Sequence, residues 1–178
     1  MYRLFVAIDL PESVRAMLSR LCFGVPGARW TPDEQFHLTL RFIGEADPLL
    51  YRDIKKALGE VFVDPFELTL KGVGHFPPRG RPNVLWVGIE KNETLVKLRN
   101  RVENALVQTG VEPEGRKFSP HITLARLKDT PINRVGDFLT ENALFQAGPF
   151  PVNEFYLYSS VLTSKGAHHT VEETYSLL

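Results

Sequence analysis

The stretches HLTL at residues 37–40 and HITL at residues 121–124 repeat one pattern, in which a histidine and a threonine alternate with apolar residues. Such alternation predicts a half-buried β-strand, because successive side chains of a strand point to opposite faces. In each copy the apolar residues would face the core, while the histidine and threonine share a polar face. We therefore expect two similar strands, each with one polar side available for chemistry.

The segments that precede the two copies are also similar. LFVAID at 4–9 aligns with LWVGIE at 85–90, residue type for residue type, and a helical pattern follows each of them. We predict a single bilobal domain over residues 1–178 with an internal duplication, strand–helix–His-x-Thr strand, near 4–43 and again near 84–127. Duplicated units pack about a pseudo-twofold axis by the symmetry that relates the subunits of a dimer. The two polar faces would then line one shared cleft.

Composition limits the class of protein. The chain has 178 residues, with 21 Lys and Arg against 21 Asp and Glu, so its formal net charge is zero. This balance excludes bulk electrostatic capture of nucleic acid or a membrane as the organising principle. The single cysteine, Cys22, excludes an internal disulfide and favours a reducing compartment. No apolar run approaches the roughly 18 residues of a membrane span. We expect a cytoplasmic protein without membrane association.

Hydrophobic periodicity and turn residues predict alternating strands and helices along the whole chain. Predicted helices cover residues 11–21, 48–62, 93–108 and 132–143. Predicted strands cover residues 4–8, 36–43, 66–73, 84–89, 121–127, 150–162 and 170–177.

The two histidines suit a reaction that needs one proton acceptor and one proton donor. An imidazole has an unperturbed pKa of about 6.5, so His37 and His121 can be in opposite protonation states near neutral pH. The hydroxyls of Thr39 and Thr123 could donate hydrogen bonds to the non-bridging oxygens of a phosphate held between the histidines. A single His-x-Thr strand is usually structural, but two copies at matched positions favour a paired functional site.

Two arginines close to these strands are candidates for binding an anion, because the planar guanidinium binds phosphate bidentately. Alternation places Arg41 on the same face as His37. Alternation places Arg126 with Ile122 and Leu124, away from the cleft, unless a bulge or the strand end re-aims it.

Other candidates carry weaker signals. Phe76, in a Gly/Pro/Arg-rich connection, could stack on a nucleobase or cover the core beneath the loop. His168 and His169 with Glu172 and Glu173 fit no standard metal-binding spacing, and exposed polarity of a hairpin is the favoured reading. The sequence therefore predicts no metal and no other cofactor.

The sequence resembles the RNA 2′,3′-cyclic phosphodiesterases, also called the 2′-5′ RNA ligase family, of the two-histidine (2H) phosphoesterase superfamily. The similarity covers nearly the whole chain. It is carried by the paired His-x-Thr motifs and by residues 3–11, 37–44, 84–88, 118–126 and 155–160.

The resemblance implies an α+β fold of two pseudo-symmetric lobes, each an antiparallel sheet with helices on its outer face, and an active-site cleft between them. It implies metal- and ATP-independent hydrolysis of RNA 2′,3′-cyclic phosphate ends to a 2′-phosphate, with possible reverse 2′-5′ ligation. His37 would be the proton donor, His121 the proton acceptor and Arg126 a phosphate contact. The partners would be RNA ends, such as tRNA fragments, or small nucleotides, with no obligate protein partner.

Two alternatives to this function stay open from the sequence. One is a related 2H phosphoesterase acting on a small cyclic nucleotide or a 2′-5′ oligonucleotide. The other is a non-catalytic RNA-binding module, although the presence of both histidines and both threonines argues against it.

Overall fold

The computed structural model describes all 178 residues. It contains nine strands in two antiparallel sheets, four α-helices and one 3-10 turn at Asp33–Gln35. The strands are β1 Tyr2–Asp9, β2 Ala28–Trp30, β3 His37–Ala46, β4 Phe66–Phe76, β5 Val84–Ile89, β6 His121–Leu127, β7 Gln146–Val152, β8 Glu154–Thr163 and β9 Gly166–Ser176. The helices are α1 Glu12–Ser19, α2 Pro48–Leu58, α3 Glu93–Gln108 and α4 Ile132–Glu141. The predicted α+β fold with two antiparallel sheets is confirmed.

Each sheet contains one of the two His-x-Thr strands. The His37 sheet has the strand order β3-β1-β8-β9, and the His121 sheet has the order β2-β6-β5-β4-β7. Strands β3 and β6 lie in contact with each other across the two sheets. The backbone N–H of Thr31, on the connection from β2 to β3, donates to the carbonyl of Leu124 at 2.8 Å. The sheets therefore meet along the strands that carry the histidines.

Helix boundaries follow from local capping and from one buried stripe on each helix. The Asp47 carboxylate accepts from the N–H of Leu50 at 2.8 Å, and the Asn92 side chain accepts from the N–H of Leu95 at 2.9 Å, so α2 and α3 both have an N-cap. The buried stripe of α3 consists of Leu95, Leu98, Val102 and Leu106. These residues belong to one core cluster of 36 buried residues shared by both sheets. None of the four helices combines the length and apolar character that crossing a membrane requires.

The structure divides one predicted strand in two. Residues 150–162 were expected to form a single strand, but β7 ends at Val152 and β8 begins at Glu154. The two belong to different sheets, so the chain changes sheet at Asn153. Pro149 and Pro151 are compatible with β7 because it is an edge strand, where a missing N–H is tolerated. The three-residue strand β2, which the sequence did not predict, is too short for a periodic pattern.

Candidate active site

Strand β3 contains a β-bulge immediately after Thr39. Thr39 pairs with Ala7 and Arg41 pairs with Val6, so Leu40 is an additional residue on β3. A bulge of this kind shifts the alternation of side chains beyond it. Leu40 and Arg41 consequently both turn toward the protein interior, and both are buried.

The bulge makes one site prediction wrong. Arg41 does not share the face of His37; it is only 7% exposed and its Nε donates to Glu103 at 3.0 Å. Its other guanidinium nitrogens donate to the carbonyls of Phe42 and Glu112. The side chain that occupies the exposed face in its place is Phe42, which is 63% exposed.

Strand β6 contains the corresponding bulge. Thr123 pairs with Trp86 and Ala125 pairs with Leu85, so Leu124 is the additional residue. Leu124 and Ala125 are both buried, and Arg126 is exposed on the side of the strand that carries Thr123. The prediction from simple alternation that Arg126 points away from the cleft is therefore wrong. As for Arg41, the bulge shifts the alternation of side chains beyond it.

His37 lies in an aromatic pocket on the His37 sheet. Its ring centroid is 4.6 Å from that of Tyr158, 6.1 Å from that of Phe5 and 5.8 Å from that of His169. Burial lowers the pKa of His37 to about 4, with further lowering by the positive charges of His169 and Arg15. The free protein therefore holds His37 as neutral imidazole near neutral pH.

His169 is a residue whose position sequence reasoning missed. His168 is exposed, as expected for a hairpin, but His169 turns inward. The rings of His169 and Phe5 pack edge to face, with their centroids 5.0 Å apart. Its Nδ1 is buried without a hydrogen-bond partner, and burial lowers its pKa. Alternation along 166–176 would have separated His168 from His169, but which of the two faces the cleft depends on the β8–β9 register.

The residues considered with His169 as a metal candidate have other partners. Glu172 accepts from the hydroxyls of Tyr51 at 2.6 Å and Ser159 at 2.7 Å, and Glu173 forms an ion pair with Lys55 at 3.4 Å. No three side chains among histidine, cysteine, aspartate and glutamate are grouped to hold a metal ion.

His121 has a different environment on the His121 sheet. Its Nδ1 lies 2.8 Å from the carbonyl oxygen of Ser119, and because that oxygen can only accept, Nδ1 carries the proton. The other ring nitrogen, Nε2, is then the one that can accept a proton. The Phe76 ring meets the His121 ring edge-on at 4.9 Å between centroids and also contacts Trp86 at 5.4 Å.

Phe76 is thus placed beside a catalytic candidate and lies outside the main core cluster. Trp86 contacts the Phe76 ring and lies so close to Gly74 that a Cβ at Gly74 would overlap the indole ring. Only glycine fits this position without displacing Trp86. Phe76 and Trp86 therefore pack against each other beside the ring of His121.

The structure places the four His-x-Thr residues on two strands that contact each other. His37 and Thr39 share one face of β3, His121 and Thr123 share one face of β6, and these strands are in contact. All four side chains are half-buried, which leaves them accessible to a small ligand. The arrangement offers two imidazoles, two hydroxyls and the Arg126 guanidinium, a set suited to moving protons around an anionic phosphate.

Comparisons with known proteins agree with this geometry. A model of the 2′-5′ RNA ligase superfamily matches residues 10–162. The RNA 2′,3′-cyclic phosphodiesterase of Archaeoglobus fulgidus is 34% identical over 92% of this chain and 94% of its own length. A solved structure from Thermus thermophilus matches with a TM-score of 0.81 and 31% identity over 98% of this chain and 97% of that chain.

The structure of E. coli LigT complexed with 3′-AMP also has a TM-score of 0.81, with 25% identity over 99% of this chain and 98% of that chain. Sequence and structure therefore agree on one family over essentially the whole length. This chain belongs to the 2′-5′ RNA ligase superfamily.

Proposed function

We propose that this chain is an RNA 2′,3′-cyclic phosphodiesterase that opens the cyclic phosphate to a 2′-phosphate by two-histidine acid–base catalysis, without a metal or another cofactor. The observation that carries the proposal is the convergence of two His-x-Thr strands, β3 and β6, from two different sheets. It is supported by family membership and by relatives that carry this enzyme name.

His121 is the proposed proton acceptor. With Nδ1 donating to Ser119, its Nε2 is free to take a proton from a water molecule. That water attacks the phosphorus atom, and the bond from phosphorus to the 3′-oxygen breaks. The phosphate remains attached through the 2′-oxygen.

His37 is the proposed proton donor to the departing 3′-oxygen. This role requires a protonated imidazole, whereas burial holds the pKa of His37 at about 4 in the free protein. A negatively charged phosphate beside the ring favours its charged form and raises the pKa. Substrate binding thus supplies the condition under which His37 can act as an acid.

The remaining side chains would bind the phosphate. The hydroxyls of Thr39 and Thr123 donate to its non-bridging oxygens, and Arg126 adds a charge-assisted fork. Phe76, fixed beside His121, would contact the terminal nucleotide. A 5′-hydroxyl that replaces water in the same step would join two RNA ends through a 2′-5′ bond.

The proposed substrates are RNA ends, including tRNA fragments. A small cyclic nucleotide or a 2′-5′ oligonucleotide is the second candidate, since LigT, a structural neighbour, is described in complex with 3′-AMP.

The test uses a short RNA that ends in a 2′,3′-cyclic phosphate, incubated with the protein in EDTA without added nucleotide. Mass spectrometry and phosphatase sensitivity locate the product phosphate. We expect a 2′-phosphate with the unaltered protein and none with His37→Ala or His121→Ala. A 3′-phosphate product, or a dependence on divalent cations, would contradict the proposal. Binding without conversion would favour the RNA-binding module.

A further inference from the structure

Arg29 on β2 lies directly opposite Arg126 on β6 in the antiparallel pairing of these strands. Side chains of directly opposite residues share a face and have Cβ atoms about 4.5–5.5 Å apart, so like charges at such positions repel. Both arginines are exposed. They form the only directly opposed pair of like charges in either sheet.

The direction of Arg29 follows from its neighbours on β2. Ala28 and Trp30 pack against the core cluster, so Arg29 between them points to the opposite side. That side is the one on which Arg126 lies, beyond the bulge that turned Arg126 toward the face of Thr123. Arg29 thereby extends the polar face of β6 by one strand, to the edge of the His121 sheet.

Neither arginine has a carboxylate to offset its charge. Arg3 on β1, by contrast, lies directly opposite an acidic residue, Glu45 on β3. Arg41 has Glu103 and Arg81 has Asp129 as ion-pair partners. Arg29 and Arg126 take part in no ion pair. An arrangement that holds two unpaired guanidinium groups side by side becomes favourable when an anion binds between or upon them.

We propose that Arg29 binds a second phosphate of the substrate, the phosphodiester on the 5′ side of the terminal nucleotide, while Arg126 binds the cyclic phosphate. This inference rests on the proposed function. A single cyclic phosphate carries one negative charge and occupies one guanidinium fork, whereas an RNA strand continues with a further phosphate per nucleotide. Arginine is the residue that most suits such backbone contacts.

The substrate class follows from this assignment. RNA of two or more nucleotides would engage both arginines, and a mononucleotide would engage Arg126 alone. Arg29 and Arg126 together would therefore make the protein selective for an RNA end over a nucleoside 2′,3′-cyclic phosphate. The selectivity is independent of base sequence, because phosphate contacts carry no sequence information.

The test compares Arg29→Ala with the unaltered protein on two substrates, adenosine 2′,3′-cyclic phosphate and the dinucleotide ApA with a 2′,3′-cyclic end. We expect kcat/KM on the dinucleotide to fall about tenfold, the usual scale for one charged hydrogen bond, and kcat/KM on the mononucleotide to stay within about twofold. Arg29→Lys should recover part of the loss. The matched control is Arg52→Ala, since Arg52 is an exposed arginine without an ion-pair partner on helix α2.

Salt dependence provides a second readout. Removing one phosphate contact should reduce the slope of log KM for the dinucleotide against log salt by about 0.7, the value for one contact to a single strand. An equal loss on both substrates, or no loss on either, would overturn the inference. Absence of turnover of both substrates by the unaltered protein would instead overturn the proposed function. Thermal unfolding of Arg29→Ala should be unchanged or slightly raised, because a like-charge repulsion is removed.

Discussion

The two sheets present the same His-x-Thr motif in two unlike environments. On the His37 sheet the imidazole is packed among Phe5, Tyr158 and His169, and burial lowers its pKa. On the His121 sheet the imidazole is held by a hydrogen bond from Nδ1 to the Ser119 carbonyl. The motif sets the position of each imidazole on its strand. The neighbouring groups set the pKa of His37 and the ring nitrogen of His121 that carries the proton. In the proposed mechanism, the acid and base roles would thus be assigned by environment rather than by residue type.

The positions after the two bulges show the same divergence. Phe42 and Arg126 occupy the equivalent exposed place on β3 and β6, one aromatic and one cationic. Arg41 and Ala125 occupy the equivalent buried place. The backbone irregularity is common to both strands, but only on β6 is the first exposed side chain after it charged. The other buries its charge against Glu103.

The largest effect is expected at the histidines. His37→Ala and His121→Ala should each lower turnover of a cyclic-phosphate RNA by about 100- to 10,000-fold, the usual contribution of a general acid or base, with folding retained. Steady-state kinetics measure turnover, and circular dichroism tests whether the variants are folded. His168→Ala, an exposed histidine on β9, should keep full activity. Near-normal activity of either variant would show that the substituted histidine takes no part in the reaction.

The next effect concerns stability. Arg41→Met should lower the free energy of unfolding by about 3 kcal/mol, because it removes the closer of the two arginine partners of the poorly exposed Glu103 carboxylate, Arg99 at 3.7 Å being the other. Urea denaturation measures the change, with Arg52→Met as the exposed control. The Arg41–Glu103 ion pair holds β3 on α3. The double variant Arg41→Met, Glu103→Met should recover only part of the loss, because it removes the poorly exposed carboxylate but leaves Arg99 without its ion-pair partner. A stable single variant would contradict that role.

A smaller effect separates the two positions after the bulges. Arg126→Ala should lower kcat/KM about 10- to 100-fold, since it removes a charged hydrogen bond to the phosphate. Phe42→Ala removes an exposed ring without charge and should change kcat/KM by no more than a few-fold. Equal losses would show that both strands contact the substrate in the same way.

The smallest effect is a shift of the pH–rate profile. His169→Phe keeps an aromatic ring beside His37 but removes a positive charge that lowers the pKa of His37. Arg15, which is ion-paired to Asp9, and the phenol of Tyr158 stay in place. The pKa of His37 should therefore rise, and the limb of the profile that depends on His37 should move to higher pH. An unmoved or lowered limb would show that His169 does not act on His37.

The sequence predicted the strands that carry the site because alternation of polar and apolar residues is a local property. It also located β5, β6 and α3 at the bounds that the structure has. The bulges at Leu40 and Leu124 escaped prediction, since an extra residue is visible only in the pairing with a neighbouring strand. The internal duplication near 4–43 and 84–127 stays a prediction.

Contacts between distant residues account for the other differences. The partner of Arg41 is 62 positions away in the sequence, so nothing local distinguished a buried ion pair from a phosphate ligand. The place of His169 depends on the β8–β9 register, in which it is opposite Ser160. The placement of the His-x-Thr residues on their strands could therefore be predicted, whereas their neighbours from distant parts of the chain could not.

The central claim is that one phosphate contacts both histidines. The most direct measurement is an NMR titration of the histidine ring signals in the free protein and in complex with a nucleoside 2′-monophosphate, the proposed product. The pKa of His37 should be about 4 in the free protein and should rise on binding. The ring signals of both His37 and His121 should shift when the ligand binds, while those of exposed His168 should not. A response of only one of the two histidines would contradict a shared phosphate site.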